Sequence, residues 1–120
     1  MASVLVVDDA AFMRMTIKNM LEANGHTMAG EAATGIEAIE QYKIVKPDVV
    51  VLDITMPEMN GIEALKQIKA MDPKARVVIC SAAGYRDKLA QAIENGAEQF
   101  VVKPFEASHL IGAIEKVMRK

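Results

Sequence analysis

Five polar residues of this 120-residue chain stand where their types could do chemistry together. Asp8 and Asp9 follow the run VLVV, Asp53 closes DVVVLD, Ser81 closes RVVICS and Lys103 closes QFVVK. Carboxylates mostly occupy solvated faces, so two adjacent ones at the end of a valine run need a reason. One Asp there serves the next helix as a cap, accepting a hydrogen bond from a free N–H at its start. Two exceed that need. Taken singly, Asp53 reads as another cap, Ser81 as a turn residue and Lys103 as a solvated charge. Taken together, the carboxylates repel: two unit charges ~5 Å apart at an effective dielectric of ~20 cost roughly 3 kcal/mol. Compensation must come from protonation of one carboxyl, from Lys103, or from a metal ion. Oxygen-only ligands suit a hard cation such as Mg²⁺, completed by water and phosphate oxygens. No Cys or His cluster offers a zinc site, and His26 and His109 are isolated and read as surface or loop residues. A carboxylate cluster around Mg²⁺ with a Lys and a hydroxyl is equipped for phosphoryl transfer. Its nucleophile can be a carboxylate, which becomes an aspartyl-phosphate.

Short β-branched runs alternating with helix-period segments must position these residues. Strands are expected at 4–7, 27–32, 48–53, 76–81 and 99–103, three of them apolar without alternation, as strands covered on both faces should be. Met13, Ile17, Met20 and Leu21 mark one amphipathic helix, and Leu110, Ile111, Ile114, Val117 and Met118 mark the last. Thr34 with Glu37 is a capping-box pattern and Asn60 with Glu63 a weaker one, while Asn24-Gly25 and Asn95-Gly96 read as helix stops. The fourth helix, roughly Arg86 to Asn95, offers mainly Leu89 and Ile93 as large apolar anchors and should be the least firmly docked. Five β-then-α units call for an α/β fold, a flavodoxin-like doubly wound five-stranded parallel sheet of order 2-1-3-4-5 with five helices. In such sheets ligands bind outside the carboxyl ends of the strands near the reversal of strand order. Strands one, three and four are neighbours there, so Asp8, Asp9, Asp53 and Ser81 converge despite their sequence separation.

The bulk numbers narrow the function. A length of 120 residues, 52% apolar and 25% charged, fits a single domain spanning 1–120 with a core of its own. A formal charge of −2 provides no basic footprint for nucleic acid. Cys80 lies within an apolar run and reads as a reduced core residue. The N-terminus has no signal-peptide pattern and no run approaches a membrane span, so the expected location is the cytoplasm. GEAATG (30–35) has P-loop glycine spacing, but Ile36 and Glu37 replace the required Lys and Ser/Thr. An FMN phosphate would be repelled by the first strand's carboxylates. Haloacid-dehalogenase-type phosphatases need a second Asp two positions on, where Ala10 stands.

The segments VLVVDDAAFMR, DVVVLDITMPEMNGIEAL, VVICSA and FVVKPF, spread over nearly the whole chain, resemble response-regulator receiver domains. The resemblance is greatest to stand-alone chemotaxis members, with no output domain. It implies that Asp53 accepts a phosphoryl group from a sensor histidine kinase, that Asp8 and Asp9 hold Mg²⁺ with Asp53, and that the Thr55 backbone carbonyl completes the protein ligands. Lys103 would pair with the phosphoryl group or Asp53, Ser81 would bind a phosphoryl oxygen, and the Lys103–Pro104 peptide would be cis, which X-Pro bonds tolerate. Thr55 and Ala83 would flank the water that hydrolyses the product. Phe100 falls where the family has its switching aromatic, against the ordinary reading of a core aromatic in a strand. The implied partners are the kinase, a flagellar motor-switch protein and a phosphatase, and the implied state is a monomer that catalyses only its own phosphorylation and dephosphorylation. A phosphorelay intermediate serving a histidine phosphotransferase, and a Mg²⁺-dependent phosphatase, are the alternatives.

Overall fold

The computed structural model describes residues 1–56 and 61–119. β1 (Ser3–Val7), β2 (Thr27–Ala32), β3 (Val49–Asp53), β4 (Val77–Ala82) and β5 (Gln99–Lys103) alternate with α1 (Ala11–Ala23), α2 (Gly35–Val45), α3 (Gly61–Met71), α4 (Arg86–Glu94) and α5 (Ala107–Met118). The strands form one parallel sheet of order β2-β1-β3-β4-β5, as the repeating β-then-α pattern requires. β2 and β5 have the expected bounds, whereas β3 begins one residue later and β4 is displaced by one toward the site.

The unbroken apolar runs feed two cores at once, because successive strand side chains point to opposite faces. Leu5, Val7, Val50, Leu52, Val77 and Ile79 pack under α2, α3 and α4, with Ala38, Leu65, Ile68 and Ala92 from those helices. Val4, Val6, Val49, Val51, Val78 and Cys80 pack under α1 and α5, with Ile17, Leu21, Leu110, Ile114 and Val117. β3 is therefore buried throughout and β1 and β4 at all but one end residue, while the edge strands β2 and β5 are exposed on part of their length.

The helix boundaries follow their local signals with two refinements. Thr34 Oγ1 accepts the Glu37 N–H at 3.1 Å, but Glu37 reaches back to the N–H of Ala33, at 2.8 Å, rather than to that of the cap itself. After α1 and α4, Gly25 (φ +82°) and Gly96 (φ +102°) take the left-handed conformation that releases the chain into the next strand. The Asn60 part of the second capping pattern lies outside the described residues.

Two expectations fail. Ile93 is 50% exposed, and α4 buries Ala92 instead, with Leu89 partly packed on the core. Residues 92 and 93 both sit on the stripe continued from Leu89, and the docked helix turns the smaller one inward. His26 lies in the loop between α1 and β2, as read, but not at the surface: it is only 5% exposed, and its Nδ1 accepts the Ala2 N–H at 2.9 Å. His109 is exposed as expected. α4 is indeed the sparsely anchored helix, with one buried residue among nine.

Candidate functional site

The carboxyl ends of β1 and β3 lie side by side, with Val7 in register with Leu52. The residues that follow, Asp8 and Asp53, are therefore delivered to one edge of the sheet by backbone pairing alone. Asp8, Asp9 and Asp53 each present a carboxylate oxygen within 4.8 Å of the others. Asp8 and Asp53 are buried and Asp9 is exposed, so the cluster has two walls and a mouth.

Lys103 at the end of β5 supplies a cation. Its Nζ donates to Asp8 Oδ2 at 2.7 Å and to Asp53 Oδ2 at 3.2 Å. Burial opposes the charge on this amine, but the hydrogen bond to Asp8 and the charge of Asp53 outweigh it and hold its pKa above the ordinary lysine value. The Lys103–Pro104 peptide bond is cis. One ammonium among three carboxylates still leaves excess negative charge, which suits a divalent ion.

Thr55 contributes more than its position suggested. Its backbone N–H and its hydroxyl both donate to Asp53 Oδ1, at 2.8 and 2.6 Å. The Asp53 carboxylate is thus oriented from one side by Thr55 and from the other by Lys103. Gly61, the first residue of α3, closes on the same place: a Cβ there would stand 2.4 Å from the Asp53 carbonyl oxygen.

Ser81 lies one residue beyond Cys80, the register partner of Asp53. It is buried, and its hydroxyl donates to the Ala82 carbonyl at 3.0 Å rather than to the acidic cluster. Phe100 is 46% exposed, so it is not the core aromatic of the ordinary reading. It borders a groove of about 450 Å³ that Ser81, Ala83, Leu89 and Val102 also line. Cys80 is fully buried, and desolvation pushes its thiol pKa up to about 12, so no reactive thiolate faces the site.

The donor set fits Mg²⁺. The ion takes oxygen ligands in an octahedron at about 2.0–2.1 Å, which sets neighbouring ligand atoms roughly 3 Å apart and opposite ones roughly 4 Å apart. Three carboxylate oxygens already within 4.8 Å meet that spacing with small rotations. Among the described residues this is the single acidic or Cys/His cluster of metal-binding dimensions. No helix of the described residues is long and apolar enough to cross a membrane.

Two residues at this site escaped the sequence reading. Arg14 Nη1 donates to the Asp8 backbone carbonyl at 2.7 Å, and Arg14 Nε donates to Glu31 Oε1 at 2.6 Å. They lie 17 positions apart and belong to no local pattern. The one visible signal was a lone basic residue among the methionines at the start of α1.

Five parallel strands with these side chains at their carboxyl ends define a signalling domain, and the chain belongs to the response regulator receiver domain family, whose model matches residues 4–115. Among curated proteins it is 52% identical to the chemotaxis protein CheY of Thermotoga maritima over 97% of each chain. It is 51% identical to that of Bacillus subtilis over 96% of each. Among solved structures, the CheX–CheY–BeF3–Mg²⁺ complex from Borrelia burgdorferi superposes with a TM-score of 0.92. The identity there is 35%, over 98% of this chain and 90% of that one. The response regulator domain of Thermotoga maritima CheB gives a TM-score of 0.89 at 38% identity, over 98% and 96%.

Proposed function

We propose that the chain is a stand-alone chemotaxis response regulator, a single receiver domain over 1–120 that acts in the cytoplasm as a monomer. One observation carries the reading: three aspartates at the ends of neighbouring strands share a cluster that Lys103 bridges. CheY relatives at about half identity over nearly the full length support it, as does the likeness to the 35%-identical CheY solved with CheX, BeF3 and Mg²⁺.

In this reading Asp8, Asp9 and Asp53 hold Mg²⁺, with the Thr55 carbonyl as a further ligand. The bound ion supplies charge neutralisation and alignment for the incoming phosphoryl group. Thr55 and Lys103 fix the Asp53 carboxylate so that one oxygen faces the phosphorus of a phosphohistidine on a sensor kinase. The P–O bond forms as the P–N bond breaks, and its electron pair leaves on the imidazole nitrogen. Lys103 offsets charge developing on the phosphoryl oxygens. Water admitted past Thr55 and Ala83 later hydrolyses the acyl phosphate, so the chain catalyses only its own modification.

Output follows from the new charge and acceptor oxygens on Asp53. The Ser81 hydroxyl exchanges the Ala82 carbonyl for a phosphoryl oxygen, drawing the loop after β4 inward. Phe100 then turns into the groove it borders, and the surface around α4 and β5 changes for a flagellar motor-switch protein. A phosphatase partner resets the domain.

The test is labelling with acetyl phosphate in Mg²⁺. Stoichiometric incorporation into the native chain and none into Asp53→Asn is expected, because an amide nitrogen cannot replace the carboxylate nucleophile. Full labelling of the variant at another residue would remove Asp53 from the reaction. Pull-down with and without beryllofluoride then separates the outputs: a motor-switch protein recovered only with it supports chemotaxis, and a histidine phosphotransferase alone favours a relay.

A further inference from the structure

Asp8 and Asp9 are neighbours in sequence, yet they are held in opposite ways. Asp8 is engaged at four atoms. Its N–H donates to the Ala32 carbonyl at 3.0 Å, and its own carbonyl accepts from Arg14 Nη1 at 2.7 Å. Its Oδ1 accepts the Ala10 N–H at 2.9 Å and its Oδ2 accepts from Lys103 Nζ at 2.7 Å. Asp9 is exposed, and no hydrogen bond among the described residues holds its carboxylate. The direction of the Asp9 side chain is therefore set by the backbone of the turn between β1 and α1.

Beyond the Asp8 Oδ1 contact with the Ala10 N–H, that turn has no side-chain helix cap. The N-cap of α1 is Ala10, which has no side chain to offer, and the first turn of the helix carries no acidic residue. Arg14 provides the fastening instead. Its backbone N–H donates to the Ala10 carbonyl at 3.1 Å while its Nη1 donates to the Asp8 carbonyl. One residue thus grips the carbonyls on both sides of Asp9. Glu31, reaching from β2, accepts from Nε and aims the planar guanidinium.

We infer that Arg14, aimed by Glu31, is a positioning residue for the metal ion: its fork holds the Asp8–Asp9–Ala10 turn so that the Asp9 carboxylate stands within reach of Asp8 and Asp53. The inference rests on the three aspartates being the Mg²⁺ ligands. Its sign separates it from plain electrostatics. A guanidinium beside the site repels a divalent cation, so removing the charge by itself tightens Mg²⁺ binding. Removing the fastening weakens it.

Calorimetric titration of the native chain and its variants with Mg²⁺, and with Ca²⁺ in parallel, decides between them. Arg14→Met is expected to weaken Mg²⁺ binding by about 10-fold or more, the usual effect of losing a residue that orients a ligand. Arg14→Lys should weaken it as well, since one ammonium cannot reproduce a fork that spans the carbonyl and Glu31. Glu31→Gln keeps an acceptor oxygen and should retain most of the affinity, whereas Glu31→Ala, at a half-exposed position, should lose part of it. Ca²⁺ binding should fall less than Mg²⁺ binding in each case, because its coordination is less strict. Unchanged or tighter Mg²⁺ binding in Arg14→Met overturns the inference, as does an equal loss for both ions, which general disruption would produce. Absence of saturable Mg²⁺ binding in the native chain overturns instead the assignment of the three aspartates as ligands.

Discussion

Gly61 and Gly112 are both helical glycines, and the same substitution should have opposite effects at the two. Helix propensity favours alanine over glycine by about 1 kcal/mol, largely because glycine has more unfolded-chain freedom to lose. At Gly112 in α5 nothing lies within 4 Å of the place a Cβ would take, so that gain should be realised, at roughly 0.5–1 kcal/mol. At Gly61 a Cβ would stand 2.4 Å from both the Asp53 carbonyl oxygen and the Ile54 Cα, and 2.9 Å from the Asp53 carbonyl carbon. These are backbone atoms of a buried strand end, so relief requires α3 to withdraw by roughly an ångström. Overpacking of this kind costs about 1–3 kcal/mol, and the rigidity of both partners puts it at the upper end. Gly61→Ala should therefore be destabilising by about 1–2 kcal/mol after the propensity gain is subtracted. In thermal unfolding that separates the two variants by roughly 10 °C, Gly112→Ala above the native chain and Gly61→Ala below it. Calorimetry of the three proteins in chelator checks this without involving the metal. A Gly61→Ala variant as stable as the native chain would refute the close approach of α3 to the Asp53 carbonyl.

Three further outcomes follow from the site and the core. Lys103→Met should leave the buried Asp8 and Asp53 carboxylates facing each other uncompensated, costing about 3–5 kcal/mol in chelator near neutral pH. Urea unfolding measures the loss, and a variant with the midpoint of the native chain refutes the argument. Asp9→Ala should sharply weaken Mg²⁺ binding in a titration while moving the chelator-treated midpoint little, as expected for an exposed side chain. Stability should fall as pH rises above about 9, since the folded chain retains the Cys80 proton up to about 12 and burial with the hydrogen bond to Asp72 holds the Tyr42 phenol above its usual value of 10.0. Each raised group contributes fully below its unfolded pKa and is lost above it, with a slope of up to about 1.4 kcal/mol per pH unit. Tyr42→Phe should flatten the part above pH 10, and a profile identical to the native one removes Tyr42 from the effect.

The sheet was legible because its runs are short, apolar and bounded, and a strand's pairing needs little more than that. β2 and β5, the half-exposed edges, have the expected bounds, while the expected β3 and β4 each took in a leading charged residue, Asp48 or Arg76, that lies just outside the strand. The cluster of Asp8, Asp9 and Asp53 followed from topology, since adjacent parallel strands carry their ends to one edge. What the sequence withheld depends on three-dimensional docking. His26 follows a glycine turn like many exposed residues, and it is buried where its ring accepts the Ala2 N–H and faces Glu115 of α5 at 3.8 Å. Ala92 and Ile93 differ by one helical step, which the periodicity of a nine-residue helix cannot resolve. Arg14 and Glu31 meet across a strand-to-helix boundary with no shared motif. The receiver-domain resemblance carried Thr55 as a backbone ligand, yet the hydroxyl and amide it turns onto Asp53 come from the tight turn after β3, visible only once folded.

The ion pair that Lys103 makes with Asp8 joins residues 95 positions apart. The candidate metal ligands all come from the first half of the chain, whereas Lys103 and Ser81 come from the second. The site is consequently a seam between two successive stretches of sequence. In the proposed function a divalent ion would fasten only the first stretch, and its binding would survive a partial opening in which β5 and its flanking helices detach. A phosphoryl group on Asp53, if bound by Lys103 and Ser81 as proposed, would fasten both. The two ligands would then leave different imprints on hydrogen exchange: Mg²⁺ slowing the amides of β1 and β3, and phosphorylation extending that protection to β4, β5 and α5.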